Sequence, residues 1–361
     1  MGDPSTTTPG PIIYQVGTEV GFLPAVAIHE NTTPIPLDLT GDPSGNTANP
    51  DGPFNLLLGP AERADVVIDF NGVAAGKTFI LYADAPAPFP GGDPRNDYFT
   101  GDPDFTNAAN NTYGLSGGAP TTLAGHGPNT RTLMKIVVTA GSGDSVPTST
   151  WLGLLNTQLR NNFLTGNQPG LLYNNGDPSV PGPVPYGGLV NRMLTLNEDF
   201  DDYGRLIQTL GTFDQNGENN QGLPTWGRAY TDPSTENPTA GSTEVWQLFN
   251  LTGDVHPIHF HLVNVQIIQR QAFSGVPGNQ GVDWDYSGPA MPPDPNEIGW
   301  KETVRMNPGE VTTVIMQFNL PNLPASMGDP KSPRTGGHEY VWHCHILEHE
   351  EHDMMRPLVV L

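Results

Sequence analysis

The sequence predicts an all-β protein of the sandwich type, and three observations carry that expectation. Short runs rich in β-branched and aromatic residues recur along the 361 residues. Turn formers punctuate them, with 43 glycines and 38 prolines making up more than a fifth of the chain. Helical periodicity is scarce. In chain order, Ala64 to Phe70 carries Val66-Val67-Ile68 and stops at the turn signal Asn71-Gly72. Thr78 to Ala83 holds Phe79-Ile80-Leu81-Tyr82, and Arg131 to Val138 holds Leu133, Ile136 and Val137. Arg192 to Leu196 and Glu244 to Asn250 follow, the second built on Val245-Trp246 and Leu248-Phe249. Val263 to Arg270 carries Val265 and Ile267-Ile268. Val311 to Phe318 begins after the turn Asn307-Pro308-Gly309, and Tyr340 to Trp342 is the last run. The one helical pattern is Trp151 to Phe163. Gly-Asp-Pro, found six times, reads as a turn signal.

This length suggests two domains, each large enough for its own core. The expected division is a β-rich domain over 1–145, a connection over 146–185 and a second β-rich domain over 186–361. A net charge of −23 excludes nucleic acid as a partner, because that role needs a positive footprint. It favours solubility and attraction of cations. No apolar run of eighteen residues occurs, so neither a membrane helix nor a signal peptide is expected in this chain, and no membrane partner.

The chemistry concentrates in two segments that hold six of the ten histidines. His343-Cys344-His345-Ile346-Leu347-Glu348-His349 is followed by Met354. Cys344 is the only cysteine, so it forms no intramolecular disulfide. Cysteine, histidine and a weak methionine are three of the four ligands of a blue-copper site. The fourth, another histidine, is available in His256-Pro257-Ile258-His259-Phe260-His261. Apolar, β-prone residues flank both segments, which places them at or near strands. Neighbouring strand residues point to opposite faces, and residues two apart share one. His343 and His345 then project one way and Cys344 the other, while His259 and His261 share a face. Two metal sites back to back follow, joined through one residue of backbone. A single structural zinc takes four ligands in one closed tetrahedron. Six histidines and one cysteine, plus a methionine, are too many for it. His29 and His126, each alone, read as ordinary residues.

His-Pro-x-His-x-His with a later His-Cys-His-x3-His-x4-Met resembles the third and fourth copper motifs of multicopper oxidases. The similarity is to bacterial three-domain laccases of the spore-coat and bilirubin-oxidase type. It extends to Glu348-His349-Glu350, Asp353-Met354-Met355-Arg356-Pro357, Gly59-Pro60-Ala61-Glu62-Arg63-Ala64-Asp65, Pro86-Ala87-Pro88-Phe89-Pro90, Gly127 to Met134 and Gly299-Trp300-Lys301-Glu302-Thr303. The resemblance implies tandem cupredoxin-like Greek-key sandwiches, the first structural and incomplete. It implies copper as cofactor. His256, Cys344, His349 and Met354 would hold the type 1 ion, with Met354 axial. His259 would hold type 2 copper, and His261, His343 and His345 the type 3 pair. Glu350 matches a carboxylate used for proton delivery, and His352 matches no ligand. The implied reaction is one-electron oxidation of small phenolic or aromatic donors coupled to four-electron reduction of dioxygen to water. Catalysis would rest on Cys344, His343, His345 and Glu350, and the donor would meet exposed edges of His256 or His349. Relatives of this type are secreted, periplasmic or attached to the spore coat. A complete trinuclear centre in that family takes eight histidines, half of them from two His-x-His motifs in a first domain. Those motifs are absent here, so a missing domain or a separate chain is expected to supply them. Alone, the chain would be a type 1 copper electron-transfer protein or an inactive fragment.

Overall fold

The structure is a computed structural model. It describes residues 10–29, 56–83, 85, 89–90, 132–141, 143, 146–165, 171–173, 190–219, 221–275 and 284–361. Pro86 to Pro88, His126, Gly127 to Arg131 and five of the six Gly-Asp-Pro triplets lie outside the described residues.

The strands are β1 (Ile13–Gly17), β2 (Phe22–His29), β3 (Asp65–Ile68), β4 (Thr78–Tyr82), β5 (Thr132–Val137), β6 (Val190–Phe200), β7 (Leu206–Thr212), β8 (Thr243–Asn250), β9 (His256–Phe260), β10 (Val265–Ser274), β11 (Asp285–Tyr286), β12 (Thr303–Met306), β13 (Glu310–Gln317), β14 (His338–Cys344) and β15 (Met355–Val360). Two α-helices, α1 (Thr148–Thr165) and α2 (Leu347–Glu351), accompany them. The all-β class is as expected, and each run singled out in the sequence is a strand or the helix. The sequence did not signal β1, β2, β7, β11, β12 and β15. Pro24 and Pro357 interrupt two of them, and β11 and β12 are too short for a pattern. No described helix is long and apolar enough to cross a membrane.

Two compact units divide the chain. One comprises Met1–Tyr14, Ile28–Leu56 and Val67–Gly153, and includes the two-stranded antiparallel sheet of β4 and β5. The other comprises Gln15–Ala27, Leu57–Val66 and Leu154–Leu361. In this second unit a six-stranded sheet runs β11-β10-β13-β8-β6-β7, and a four-stranded sheet runs β12-β9-β14-β15. Leu194, Trp246, Leu248, Val265 and Val314 of the first sheet share one buried core with Ile258, Phe260, Val304, Trp342 and Leu358 of the second. Two sheets closing over one apolar layer make a sandwich. Trp246 and Trp342 meet edge to face across it, centroids 5.6 Å apart. Burial of each such side chain contributes about 1.5–3 kcal/mol.

What matters for chemistry is the antiparallel pairing of β9 with β14. It sets His343 opposite His259 and Cys344 opposite Ile258. Both histidine-rich segments therefore lie side by side in the four-stranded sheet. On the other edge of β9, β12 places Thr303 opposite His259 and Met306 opposite His256.

Candidate metal centre

Alternation along β14 sends Trp342 and Cys344 into the core and turns His343 to the other face. On β9, Ile258 and Phe260 point into that core with the fully buried His256, and His259 points away. Two groups of ligand atoms result, one on each face.

In the core-side group Cys344 Sγ lies 3.6 Å from His256 Nδ1 and 3.7 Å from His349 Nδ1, and the two nitrogens are 3.2 Å apart. His349 reaches this point because the chain leaves β14 and turns once through α2. The turn at Asp353, with φ +78°, then feeds Met354 back toward β15. The Cys344 N–H donates to the Met354 carbonyl at 3.0 Å, and the Met354 N–H to the His349 carbonyl at 2.9 Å. Met354 is fully buried in the same core as Cys344.

Burial pushes His256 down to about 3 and the Cys344 thiol up to about 12, and it lowers His349 as well. An apolar shell disfavours every charged form. A thiolate at this position therefore needs a cation beside it. One soft sulfur, two imidazole nitrogens and a thioether on the same core suit copper of the blue type.

On the opposite face, ring nitrogens of His259, His261 and His343 lie within 4.8 Å of one another. His343 Nε2 is 3.3 Å from His261 Nε2. His345 adjoins them, its ring 5.3 Å from that of His343 and 5.7 Å from that of His259. His259 Nδ1 lies 3.0 Å from the Glu302 carbonyl and 3.0 Å from Thr303 Oγ1, and His343 Nδ1 lies 2.9 Å from the Cys344 carbonyl. A carbonyl only accepts, so both Nδ1 atoms donate and both Nε2 lone pairs are left for a ligand. Glu350 Oε2 stands 3.5 Å from His343 Nδ1. Desolvation and the neighbouring imidazoles lower His259 and His261, which keeps them neutral and ligand-ready.

Every ligand position named from the sequence lies in one of these groups, beside them, or in the case of Met354 in the core below. One expectation fails. His256 has no exposed edge: it is fully buried, and its Nε2 is taken up by Thr252 Oγ1 at 2.7 Å. His349, although buried, keeps 8% of its surface exposed. His352 is exposed and peripheral, as expected.

Sequence reasoning missed the frame behind β9 and β12. Lys301 lies 3.1 Å from Glu62 and 3.3 Å from Glu19. Arg305 lies 3.1 Å from Glu62 and 2.9 Å from Glu297, which also binds Arg270. Glu19 Oε1 accepts the backbone N–H groups of Glu302 and Thr303, at 3.1 and 3.3 Å. The motifs around Glu62 and around Lys301 are thus two halves of one buried ion lattice. No local spacing rule connects charges more than two hundred residues apart.

Residues 205–361 match the family model described as multicopper oxidase. The chain is 39% identical to the laccase of Bacillus subtilis over 167 residues, 46% of this chain and 27% of that protein. It is 27% identical to the multicopper oxidase LPR1 of Arabidopsis thaliana over 337 residues, 90% of this chain and 45% of that protein. A solved structure, the multicopper oxidase McoA from the hyperthermophile Aquifex aeolicus, aligns at a TM-score of 0.47 and 17% identity, covering 97% of this chain and 50% of that one. The chain spans half or less of the length of the relatives it matches.

Proposed function

We propose that the chain, whose residues 205–361 match the multicopper oxidase family model, works in a laccase-like reaction. Small phenolic or aromatic donors would give up single electrons at one copper centre, and dioxygen would be reduced to water at another. One observation carries this reading: the consecutive residues His343 and Cys344 serve two different groups of ligand atoms on opposite faces of one strand. His256, Cys344, His349 and Met354 are assigned to type 1 copper, His259 to type 2, and His261, His343 and His345 to the type 3 pair. Copper in these positions would supply one-electron redox chemistry on the core side and oxygen reduction on the other.

The chain's own residues do the rest. His349, less buried than His256 and two residues from the 64% exposed Leu347, receives the flat apolar donor. Cys344 gives a covalent route, through one peptide unit each way, to His343 and His345. Phe260 and Trp342, both buried, keep water from the sulfur. Glu350, with Oε2 3.5 Å from His343 Nδ1, is the carboxylate placed to deliver protons to the second centre.

Four histidines furnish that second centre among the described residues. The four others that the family's centre takes are proposed to come from another domain or a separate chain. This count favours a second reading for the chain by itself, as a one-centre electron-transfer protein. Copper counted per chain, together with oxygen uptake on a phenolic donor, separates the two. Four coppers with turnover support the oxidase. One copper, a blue colour and no uptake support the carrier. No copper at Cys344 refutes both.

A further inference from the structure

The hydrogen bonds behind His256 form a chain in which each proton can be placed. Asn250 Nδ2 donates to the Asp254 carbonyl at 2.8 Å and to the Met306 carbonyl at 2.9 Å. Those two carbonyls fix the amide orientation, because the reverse would set oxygen against oxygen twice. Asn250 Oδ1 is therefore the acceptor that faces Thr252. It takes the Thr252 N–H at 2.9 Å and the Thr252 hydroxyl at 2.8 Å. Two other acceptors lie near that hydroxyl's proton, the Asp254 carbonyl at 3.2 Å and His256 Nε2 at 2.7 Å, but a proton given to either would leave Thr252 Oγ1 and Asn250 Oδ1 2.8 Å apart, oxygen against oxygen with no proton between them. With its proton on Asn250 Oδ1, Thr252 Oγ1 can only accept elsewhere. It accepts the Asp254 N–H at 3.2 Å, and its remaining contact is His256 Nε2 at 2.7 Å. His256 must then carry its proton on Nε2. The lone pair is left on Nδ1, which faces Cys344 and His349.

We propose that Thr252, itself held by Asn250, is a positioning residue that fixes His256 as the Nε2–H tautomer and turns its Nδ1 lone pair toward the type 1 metal. Asn250, Thr252 and His256 are all buried, so water cannot substitute for the hydroxyl without a rearrangement. The same contact closes Nε2 to external electron donors and leaves His349 as the ring they meet. The proposal rests on reading His256 as a type 1 ligand, and its test separates the two.

Long-range proton–nitrogen correlation on the metal-free chain, labelled with nitrogen-15 in histidine, distinguishes the tautomers. His256 is identified by its loss in His256→Gln. Wild type and Thr252→Ser are expected to show Nε2–H. Thr252→Val is expected to populate Nδ1–H and to bind copper at this centre about 10- to 100-fold more weakly, the usual cost of losing an outer-shell partner. Wild-type His256 with its proton on Nδ1 overturns the proposal, whether or not Thr252→Val folds. So does a folded Thr252→Val that keeps both the tautomer and the copper affinity of wild type. A wild-type chain with the Nε2–H tautomer that takes up no copper at Cys344 supports the hold on the ring and refutes the ligand reading.

Discussion

Cys344 and His343 are consecutive in β14 and face opposite ways. The sulfur of Cys344 lies 3.6 Å from His256 Nδ1 in the core, while His343 Nε2 lies 3.3 Å from His261 Nε2 on the other face. One peptide unit separates two groups of ligand atoms with different chemistry, one soft and buried, the other all imidazole and partly open. Strand alternation alone produces that separation.

Copper loading of the metal-free protein at neutral pH is expected to release one proton. Burial holds the Cys344 thiol at about 12, so it must ionise to bind, whereas His256, at about 3, is already neutral. Calorimetry in buffers of different ionisation enthalpy measures this proton. Wild type that releases none, or Cys344→Ser that still releases one, would count against a thiolate ligand.

The ion lattice makes stability fall in acid. Burial alone would raise Glu297, but Arg270 at 2.5 Å and Arg305 at 2.9 Å outweigh it and hold its carboxyl below the ordinary 4.5. The stabilisation is fully present above that unfolded-state value and is lost as pH falls from there toward the depressed folded value. Glu297→Gln leaves buried Arg270 without its partner and is expected to cost about 3–5 kcal/mol at neutral pH. Urea unfolding at a series of pH values should show the gap between wild type and variant closing below pH 4.5. A gap that stays constant would contradict the assignment.

Gly59 lies under the strand that carries both centres. A Cβ there would sit 2.9 Å from Pro257 Cβ, and the Pro257 carbonyl accepts the His345 N–H at 2.8 Å. Gly59→Ala is expected to lose about 1–3 kcal/mol of stability and to weaken copper binding on both faces. Gly153→Ala, in α1 with open space around the new methyl, should instead gain about 0.5–1 kcal/mol. Thermal unfolding and copper titration read both variants.

Aromatic donors should meet the protein at His349. Leu347→Glu removes the exposed apolar neighbour and puts a charge in its place. The second-order rate at which hydroquinone bleaches the oxidised blue centre is expected to drop about tenfold, equivalent to about 1.4 kcal/mol. The optical spectrum itself should not change. An unaltered rate would move the contact away from His349.

Much of this was legible in the sequence because strand periodicity and ligand chemistry are local. Val311 to Phe318 reads as a strand from its β-branched run, and His343-Cys344-His345 separates into two faces once it is placed on a strand. The closing turn of α2 was not legible, since five residues with three carboxylates carry no apolar period; yet it is what brings His349 back to Cys344. The burial of His256 was missed for another reason. Its exposure depends on Asn250 and Thr252, whose hydroxyl and amide look like ordinary turn residues until their partners are known. The lattice of Glu19, Glu62, Lys301, Arg305 and Glu297 depends on pairings that only the folded chain creates.

The most direct measurement is the optical and electron paramagnetic resonance spectrum of the copper-loaded chain beside that of Cys344→Ser. The proposed ligand set of His256, Cys344, His349 and Met354 predicts one copper at this centre, whatever the second centre holds, with an intense thiolate-to-copper band and narrow hyperfine splitting, both lost in Cys344→Ser. Copper bound without that band, or a band that survives the loss of the sulfur, would contradict it.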